Sequence, residues 1–216
     1  MNPKLWIIGC SIAHGVGVNS GERWGDIIAN KLDIEPVFLT AEGSSIEWAT
    51  NQILQADIVP ADIVLWGLTA PNRFLWYDDA GNAQHILNVY YQSNPHFRSV
   101  DKKHLVDLNL AYKAVEYVRQ VQNYLNKIGC KYAIGYTLPG LDKHRQILID
   151  ALSSTSNFFV AYDPALIKIK VSATEFLLQS RPANKQFIDI GSDSLHPGVL
   201  QHQLYADQFL KILNIL

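Results

Sequence analysis

The sequence has little of several features that mark specialised protein classes. Only two of its 216 residues are cysteine, whereas disulfide frameworks of small secreted domains use four or more. Lysine and arginine number 18 against 20 aspartates and glutamates, so the net charge of −2 offers no basic face for nucleic acid. The longest apolar runs have the length of strands, far short of the ~20 residues that a membrane helix needs. We therefore expect a globular protein with no nucleic-acid partner and no membrane span.

Targeting and metal-binding signals are also missing. Cys10 follows "IIG" and so resembles a lipoprotein cleavage box, but a signal segment needs ~15–30 residues before its cleavage site. We therefore expect a cytoplasmic protein without a lipid anchor. The seven histidines form no HxxxH pair and the two cysteines no CxxC motif. We expect neither a metal ion nor another cofactor, and the sequence does not indicate an oligomeric state.

What the sequence does contain is an alternation of strand-like and helix-like segments. Strands separated by helices predict a three-layer α/β/α sandwich around a mostly parallel, five-stranded sheet. On the helices, Tyr112 and Leu200 are expected to face the core. The whole chain, 1–216, is expected to form one domain. The predicted strands are 4–9, 36–40, 61–67, 131–138 and 157–162, and the predicted helices are 23–32, 44–54, 105–128, 142–152 and a last one that begins just after Pro197.

One stretch, 74–100, interrupts this alternation. It is rich in aromatic residues and turn formers, and "DDAGN" at 78–82 predicts the tip of a hairpin. A loop this long is often a lid or a binding loop. Its aromatic residues, Trp76 among them, are expected either to cover a cleft and contact substrate or to form a rim of the core.

Parallel sheets bind ligands beyond the carboxyl ends of their strands, which directs attention to the residues that follow each strand. Cys10 and Ser11 follow the first strand, Gly43 follows the second, and 69–73 follow the third. Two roles remain open for Arg73 in this last group. It either binds an anionic group of a substrate or forms a surface ion pair, and the ion pair is somewhat favoured.

Near the other end, "FIDIGSDSLHPG" places Asp193 and His196 three residues apart before the last helix. Serine hydrolases need a base that removes the hydroxyl proton and a carboxylate that orients this base. A plainer interpretation is a helix start, with an aspartate or serine as the cap and Pro197 at the first helical position. The motif taken alone favours the cap.

The order of these motifs along the chain resembles that of the SGNH (GDSL-type) hydrolases. Their first block, Gly-Asp-Ser, resembles Gly9-Cys10-Ser11, and the glycine of their second block resembles Gly43 in "AEGSS". Their last block, Asp-x-x-His, is matched by Asp193 and His196, followed by proline. The resemblance spans essentially the whole chain and implies a flavodoxin-like sandwich that hydrolyses esters. It further implies Ser11 as nucleophile, His196 as base and Asp193 as the orienting carboxylate.

Two positions depart from the pattern of this family. Cys10 stands where the family has aspartate, and "WGLTAPNR" stands where the family has Gly-x-Asn-Asp after the third strand. The oxyanion hole implied by the resemblance takes backbone N–H groups from Ser11 and Gly43. Its third donor is Asn72 or Thr69: Asn72 has the better amide, Thr69 the matching position, and Asn72 is slightly favoured.

Two functions follow from these patterns. The first is a serine esterase, acting on a small-molecule or carbohydrate ester through an acyl-enzyme intermediate. The second is a catalytically silent binding or structural protein that keeps the fold, and the departures at Cys10 and Thr69 keep it open. Neighbouring residues at a strand end point to opposite sides, so only one of Cys10 and Ser11 is expected to face substrate. The family order favours Ser11.

Overall fold

The computed structural model describes residues 2–77, 80–81, 83–87, 107–138, 143–160 and 187–214. Seven strands and six helices lie in these ranges, and they are numbered here in chain order. The strands are β1 (Leu5–Gly9), β2 (Pro36–Thr40), β3 (Ile63–Leu68), β4 (Arg73–Tyr77), β5 (Ala83–Leu87), β6 (Lys131–Tyr136) and β7 (Phe158–Val160). The helices are α1 (Ser11–His14), α2 (Trp24–Leu32), α3 (Ile46–Gln55), α4 (Asp107–Ile128), α5 (Lys143–Leu152) and α6 (Val199–Ile212).

The central sheet has five strands in the order β2-β1-β3-β6-β7, and every pairing in it is parallel. The predicted five-stranded α/β architecture is confirmed, with strand ends that coincide with the prediction or differ from it by one or two residues; 161 and 162, in the last predicted strand, lie outside the described part. β1 lies between β2 and β3, so Gly9 is in register with Thr40 on one side and Gly67 on the other. The carboxyl ends of these three strands therefore meet at one edge of the sheet.

The two faces of the sheet carry separate hydrophobic cores because successive strand residues point to opposite sides. In β1, Trp6 and Ile8 pack with α3, α4 and α5, whereas Leu5 and Ile7 pack with α1, α2 and α6. All four side chains are at least 94% buried. Helix α3 begins where Ser45 caps it, because the Ser45 hydroxyl accepts a hydrogen bond from the N–H of Trp48 at 3.1 Å.

Two residues expected in the core lie at the surface. Tyr112 on α4 is 57% exposed and Leu200 on α6 is 63% exposed. On α6 the buried face instead includes Gln201, His202 and Tyr205. The first turn of α6 therefore buries polar side chains and leaves Leu200, its most apolar side chain, at the surface.

The segment 74–100 contains a two-stranded antiparallel hairpin, β4 with β5, whose closing pair is Tyr77 with Ala83. The predicted hairpin tip therefore falls between the two strands, although residues 78, 79 and 82 lie outside the described part, as do 88–100. Phe74 is 94% buried, and the N–H of Leu75 donates to the carboxylate of Glu47 on α3 at 3.4 Å. The first strand of the hairpin is thus joined to the sandwich. A lid formed by the rest of 74–100 stays a prediction, as does the single domain over 1–216.

No helix within the described ranges is long and apolar enough to cross a membrane.

Candidate active site

Ser11 lies at the carboxyl end of β1, in the centre of the sheet edge where β1, β2 and β3 end. The chain turns sharply there, because Ser11 begins the one-turn helix α1 directly after the strand. Gly9 permits this turn: its φ is +155°, and an added Cβ would lie 2.7 Å from Cβ of Ala13 and 2.8 Å from the carbonyl oxygen of Gly67. A larger residue at position 9 would displace the backbone that carries Ser11.

Asp193 and His196 lie on the loop before α6, which folds back on itself. The loop is closed by backbone hydrogen bonds from Gly191 N–H to the His196 carbonyl at 2.8 Å and from Gly198 N–H to the Asp189 carbonyl at 3.0 Å. These two bonds flank a bridge between Ile190 and Pro197. The motif residues are therefore held on a narrow hairpin-like ribbon.

The plainer interpretation of this motif placed an aspartate or serine at the cap and Pro197 at the first helical position, but the N-cap residue of α6 is Gly198 and its first helical residue is Val199. The N–H groups of the first turn are bound by another aspartate. The carboxylate of Asp189 accepts hydrogen bonds from the N–H groups of Leu200 at 2.9 Å and Gln201 at 2.8 Å. The side-chain oxygen of Gln201 accepts a further hydrogen bond, from the N–H of Ile188 at 3.0 Å. Sequence reasoning missed Asp189, although an acidic residue shortly before a predicted helix start was a signal for it. The carboxylate of Asp193 is left for the histidine.

Three side chains that are far apart in the sequence meet at this site. His196 Nε2 lies 3.0 Å from Ser11 Oγ, and His196 Nδ1 lies 2.5 Å from Asp193 Oδ2. Ser11 and His196 are 185 positions apart in the chain. When Nδ1 carries the proton and donates a hydrogen bond to Asp193, Nε2 has a free lone pair that faces the serine hydroxyl.

The carboxylate of Asp193 is kept ionised by its own loop. Burial by itself would raise the pKa of Asp193, but hydrogen bonds donated by the His196 backbone N–H, the His196 ring and the Leu195 N–H lower this pKa to about 2. The two backbone N–H groups lie 3.0 and 3.1 Å from Asp193 Oδ1. One carboxylate oxygen is therefore fixed by the backbone, and the other is turned to the imidazole.

Gly17, on the α1–α2 loop, supports the ribbon that carries Asp193 and His196. Its carbonyl accepts hydrogen bonds from the N–H of Ser192 at 2.8 Å and from the Ser192 hydroxyl at 3.2 Å. An added Cβ on Gly17 would lie 2.9 Å from Asp193 Oδ1 and 3.3 Å from His196 Cβ. Only glycine fits this contact, and nothing in the sequence pattern singled out Gly17 for it.

The N–H groups of Ser11 and Gly43 are available for a ligand. Ser11 is the first residue of α1, where helices leave N–H groups without partners. Gly43 lies in a turn that is held against β1, because Ala41 N–H and the Ser44 hydroxyl both donate to the Gly9 carbonyl at 3.2 Å. Across the described ranges, neither N–H donates a hydrogen bond to the protein.

The loop after β3 carries the other residues singled out in the sequence. Thr69 is 97% buried, and its hydroxyl has no hydrogen-bond partner in the described part of the chain. Asn72 is half-buried, and so is Arg73, whose Nη1 lies 3.5 Å from the carbonyl oxygen of Ser44. Trp76 lies in β4, but its side chain is outside the described part.

Cys10 does not share the site with Ser11. Its side chain is 99% buried, and it packs in the core formed with α1, α2 and α6. Cys10 and Cys130 are both free thiols. Among the side chains that the structure describes, no group of three or more histidine, cysteine, aspartate or glutamate residues could hold a metal ion.

Comparison with known proteins finds proteins of similar structure, but none that matches by sequence. No protein-family profile matches the sequence, and no curated protein matches it by sequence. An esterase from Pseudoalteromonas sp. has 12% identity and a TM-score of 0.54, over 99% of this chain and 97% of that one. An acetylxylan esterase from Geobacillus stearothermophilus has 14% identity and a TM-score of 0.55, over 99% and 95%. A proposed lipolytic protein of the G-D-S-L family from Desulfitobacterium hafniense has 12% identity and a TM-score of 0.52, over 98% and 99%.

At identities this low, the three structures establish a common architecture. Each is matched over at least 95% of its own length, so the agreement extends to the whole sandwich. The chain therefore has the α/β fold of these esterases and of the GDSL-type protein, the fold that the resemblance to SGNH hydrolases predicts.

Proposed function

We propose that this chain is a serine hydrolase of the SGNH type that cleaves an ester (O-acyl) bond. The observation that carries the proposal is the pair of contacts made by His196, to Ser11 Oγ at 3.0 Å and to Asp193 Oδ2 at 2.5 Å. A base within hydrogen-bond reach of a hydroxyl, itself oriented by a carboxylate, is the arrangement that activates a serine. The esterase neighbours support the same reaction class.

The first half of the proposed reaction acylates Ser11. His196 Nε2 takes the hydroxyl proton while Ser11 Oγ attacks the ester carbonyl carbon and forms a tetrahedral oxyanion. This intermediate collapses as the carbon–oxygen bond to the alcohol breaks, and His196 returns the proton to the departing alkoxide. The products of this half-reaction are the free alcohol and an acyl group on Ser11.

The second half releases the acid. His196, neutral again, removes a proton from a water molecule that attacks the acyl carbon. The second intermediate collapses as the bond between the acyl carbon and Ser11 Oγ breaks, and His196 returns the proton to Oγ, which restores the Ser11 hydroxyl. Asp193 stabilises the imidazolium in both halves and stays ionised, because its pKa is about 2. The reaction needs no metal and no cofactor.

The oxyanion of each intermediate is stabilised by the N–H groups of Ser11 and Gly43, which donate to no group in the described ranges. For the third donor we propose Asn72 rather than Thr69. A substrate oxygen enters from the solvent side, where the half-exposed amide of Asn72 is accessible and the 97% buried hydroxyl of Thr69 is not. One such donor is worth about 3–4 kcal/mol in the transition state.

The proposed substrate is a small-molecule or carbohydrate ester. One structural neighbour is described as an acetylxylan esterase, which is the support for the carbohydrate class. The partner implied by the site is thus a small molecule.

A fluorophosphonate probe tests the nucleophile. The probe phosphonylates an activated serine hydroxyl, so peptide mass spectrometry should find the adduct on Ser11, and Ser11→Ala should abolish both labelling and aryl acetate hydrolysis. Cys10→Ala is the matched neighbour control and should keep most of both, because the Cys10 thiol lies in the core. An adduct on Cys10 would identify a thiol enzyme instead. No adduct and no hydrolysis by a folded sample would support the catalytically silent binding protein.

A further inference from the structure

Arg73 contacts the turn that carries Gly43, and its charge has no ion-pair partner among the residues that the structure describes. Among the described residues the ion pairs are Arg23–Asp26, Lys31–Asp207, Arg119–Glu116 and His196–Asp193, and none involves Arg73. The surface ion pair that was one of its two possible roles is therefore not formed within this part of the chain.

The surroundings of the Arg73 guanidinium leave most of its donors unused. The side chain is half-buried, its Nε is fully buried with no hydrogen-bond partner in the described ranges, and its Nη1 contacts the Ser44 carbonyl only at 3.5 Å. The carboxylate of Glu47, on the first turn of α3, accepts a hydrogen bond from the N–H of Leu75 at 3.4 Å and forms no ion pair with Arg73. A charge that loses hydration without gaining a partner is costly.

Ser44 contacts both Arg73 and the strand end that precedes Ser11. The Ser44 hydroxyl donates to the carbonyl of Gly9, two residues before Ser11, and the Ser44 carbonyl faces the guanidinium. Ser44 also follows Gly43, one of the proposed oxyanion donors. The guanidinium thus contacts the same short turn that carries the proposed oxyanion donor Gly43.

We infer that Arg73 is a specificity-determining residue and that the natural substrate is an ester that carries a carboxylate. The planar fork of a guanidinium matches a carboxylate in a two-point contact. When such a substrate binds, it supplies the counter-ion that Arg73 lacks among the described residues. This inference rests on the proposed esterase function for the site, but its test separates the two.

Paired esters that differ only in charge provide the test. For the acyl side the pair is 4-nitrophenyl hemisuccinate and its methyl ester, and for the alcohol side it is 4-acetoxybenzoate and its methyl ester. The measured quantity is the ratio of kcat/KM for the charged ester to that for the neutral one. Arg73→Gln should lower this ratio by roughly ten- to one-hundred-fold for one of the two pairs, the factor that a charge-assisted hydrogen bond contributes.

The affected pair shows which side of the ester carries the carboxylate. Arg73→Lys keeps the charge but not the fork, so it should retain part of the preference. Arg119→Gln is the matched control: this arginine is on α4 and is paired with Glu116, and its removal should leave the ratio unchanged. A ratio for Arg73→Gln equal to that of the wild type in both pairs would overturn the inference while leaving the esterase proposal intact.

A binding measurement gives an answer even if no ester is hydrolysed. Calorimetric titration of Ser11→Ala with each charged ester and its methyl ester, and of the double variant Ser11→Ala/Arg73→Gln, measures recognition without turnover. The inference is supported if one charged ester binds the double variant more weakly than it binds Ser11→Ala, while its methyl ester binds both variants equally. Equal affinities in the two backgrounds contradict it, whatever the activity of the wild type.

Discussion

The buried histidine His202 should make the protein lose stability in mild acid. His202 is fully buried on α6, and its Nδ1 accepts a hydrogen bond from the N–H of Trp24, the first residue of α2, at 3.1 Å. Its Nε2 has no partner in the described part of the chain. Protonation would place a charge in the core, and it would turn the acceptor of the Trp24 N–H into a donor.

Burial is the main reason that the pKa of His202 is lowered to about 4 from the ordinary value of 6.5. The neighbouring charge of Arg23 lowers the pKa as well, whereas Asp189, Asp26 and Glu22 raise it. Above about pH 6.5 the ring is neutral in both the folded and the unfolded chain and has no effect on stability. Below that pH the unfolded chain takes up a proton that the folded protein does not, until the folded pKa is reached.

The size of the effect follows from this difference in pKa. Each pH unit inside the window lowers the free energy of unfolding by about 1.4 kcal/mol, so a change from about pH 7.5 to about pH 5 should remove roughly 2 kcal/mol. Asn in place of His202 can present an oxygen near the position of Nδ1 and does not titrate. His202→Asn should therefore be less stable at neutral pH, because it loses volume, but it should lack this part of the pH dependence.

Urea unfolding followed by circular dichroism, at several pH values between about 7.5 and 5, measures the free energy of unfolding of both proteins. The two curves should converge as the pH falls. If wild type and His202→Asn lose stability in parallel, the acid sensitivity arises from another group, and the argument about His202 fails. Asp193 does not interfere, because its stabilising contribution is lost only as the pH falls from the ordinary pKa of 3.8 towards the folded value of about 2, and both lie below this window.

Three further predictions concern the site, all measured by steady-state hydrolysis of an aryl acetate. Gly17→Ala should lower kcat at least tenfold, because its Cβ would lie 2.9 Å from Asp193 Oδ1. Gly21→Ala is the control: Gly21 has a φ of +92°, similar to that of Gly17, but its Cβ would have nothing within 4 Å, so kcat should be kept. Equal losses in the two variants would assign the effect to backbone strain. Asn72→Ala should reduce kcat by about 10²–10³ and Thr69→Val much less, and the reverse order would exchange their roles. Asp193→Asn should reduce kcat by roughly 10³–10⁴, because the imidazole loses the partner that fixes its tautomer; near-normal activity would contradict the proposed role.

The parts of the fold that the sequence predicted well are those with long hydrophobic patterns. Strand β1 is an apolar run that ends at Gly9, and α3 combines a serine cap with an apolar face, so local chemistry alone decides both. Helix α1 was not predicted, because four residues are too few to show a helical period and Cys10 provides no side-chain cap. The turn depends on the close approach of Gly9 to β3, which is a tertiary contact.

The orientation of α6 shows why hydropathy misassigned Leu200. Gln201 and His202 are buried on this helix because each finds a hydrogen-bond partner inside, Ile188 N–H for the first and Trp24 N–H for the second. These partners come from other segments of the chain, so the sequence of the helix alone favours leucine over a polar residue as the buried group. Once the two polar side chains face inward, Leu200 faces solvent.

For the site, the sequence could bring Ser11, Asp193 and His196 together only through the order of family motifs. Their spacing along the chain contains no geometric information about a distance of 3.0 Å. The role of Gly17 was not predictable, since it depends on which backbone lies against its α-carbon in the folded protein. The Asp-x-x-His motif was ambiguous until the structure showed that Asp189 binds the N–H groups of the first turn of α6.

The separation of 185 positions between Ser11 and His196 has a consequence for how the protein is made. When a ribosome has added Ser11, a further 185 residues must be synthesised before the proposed base exists, so a partial chain that ends before the last ribbon lacks that base. During refolding from urea, helical signal should return before hydrolytic activity, because closing so long a loop is entropically unfavourable and needs the sheet in place first. Enzyme activity in this protein would then report the completion of folding.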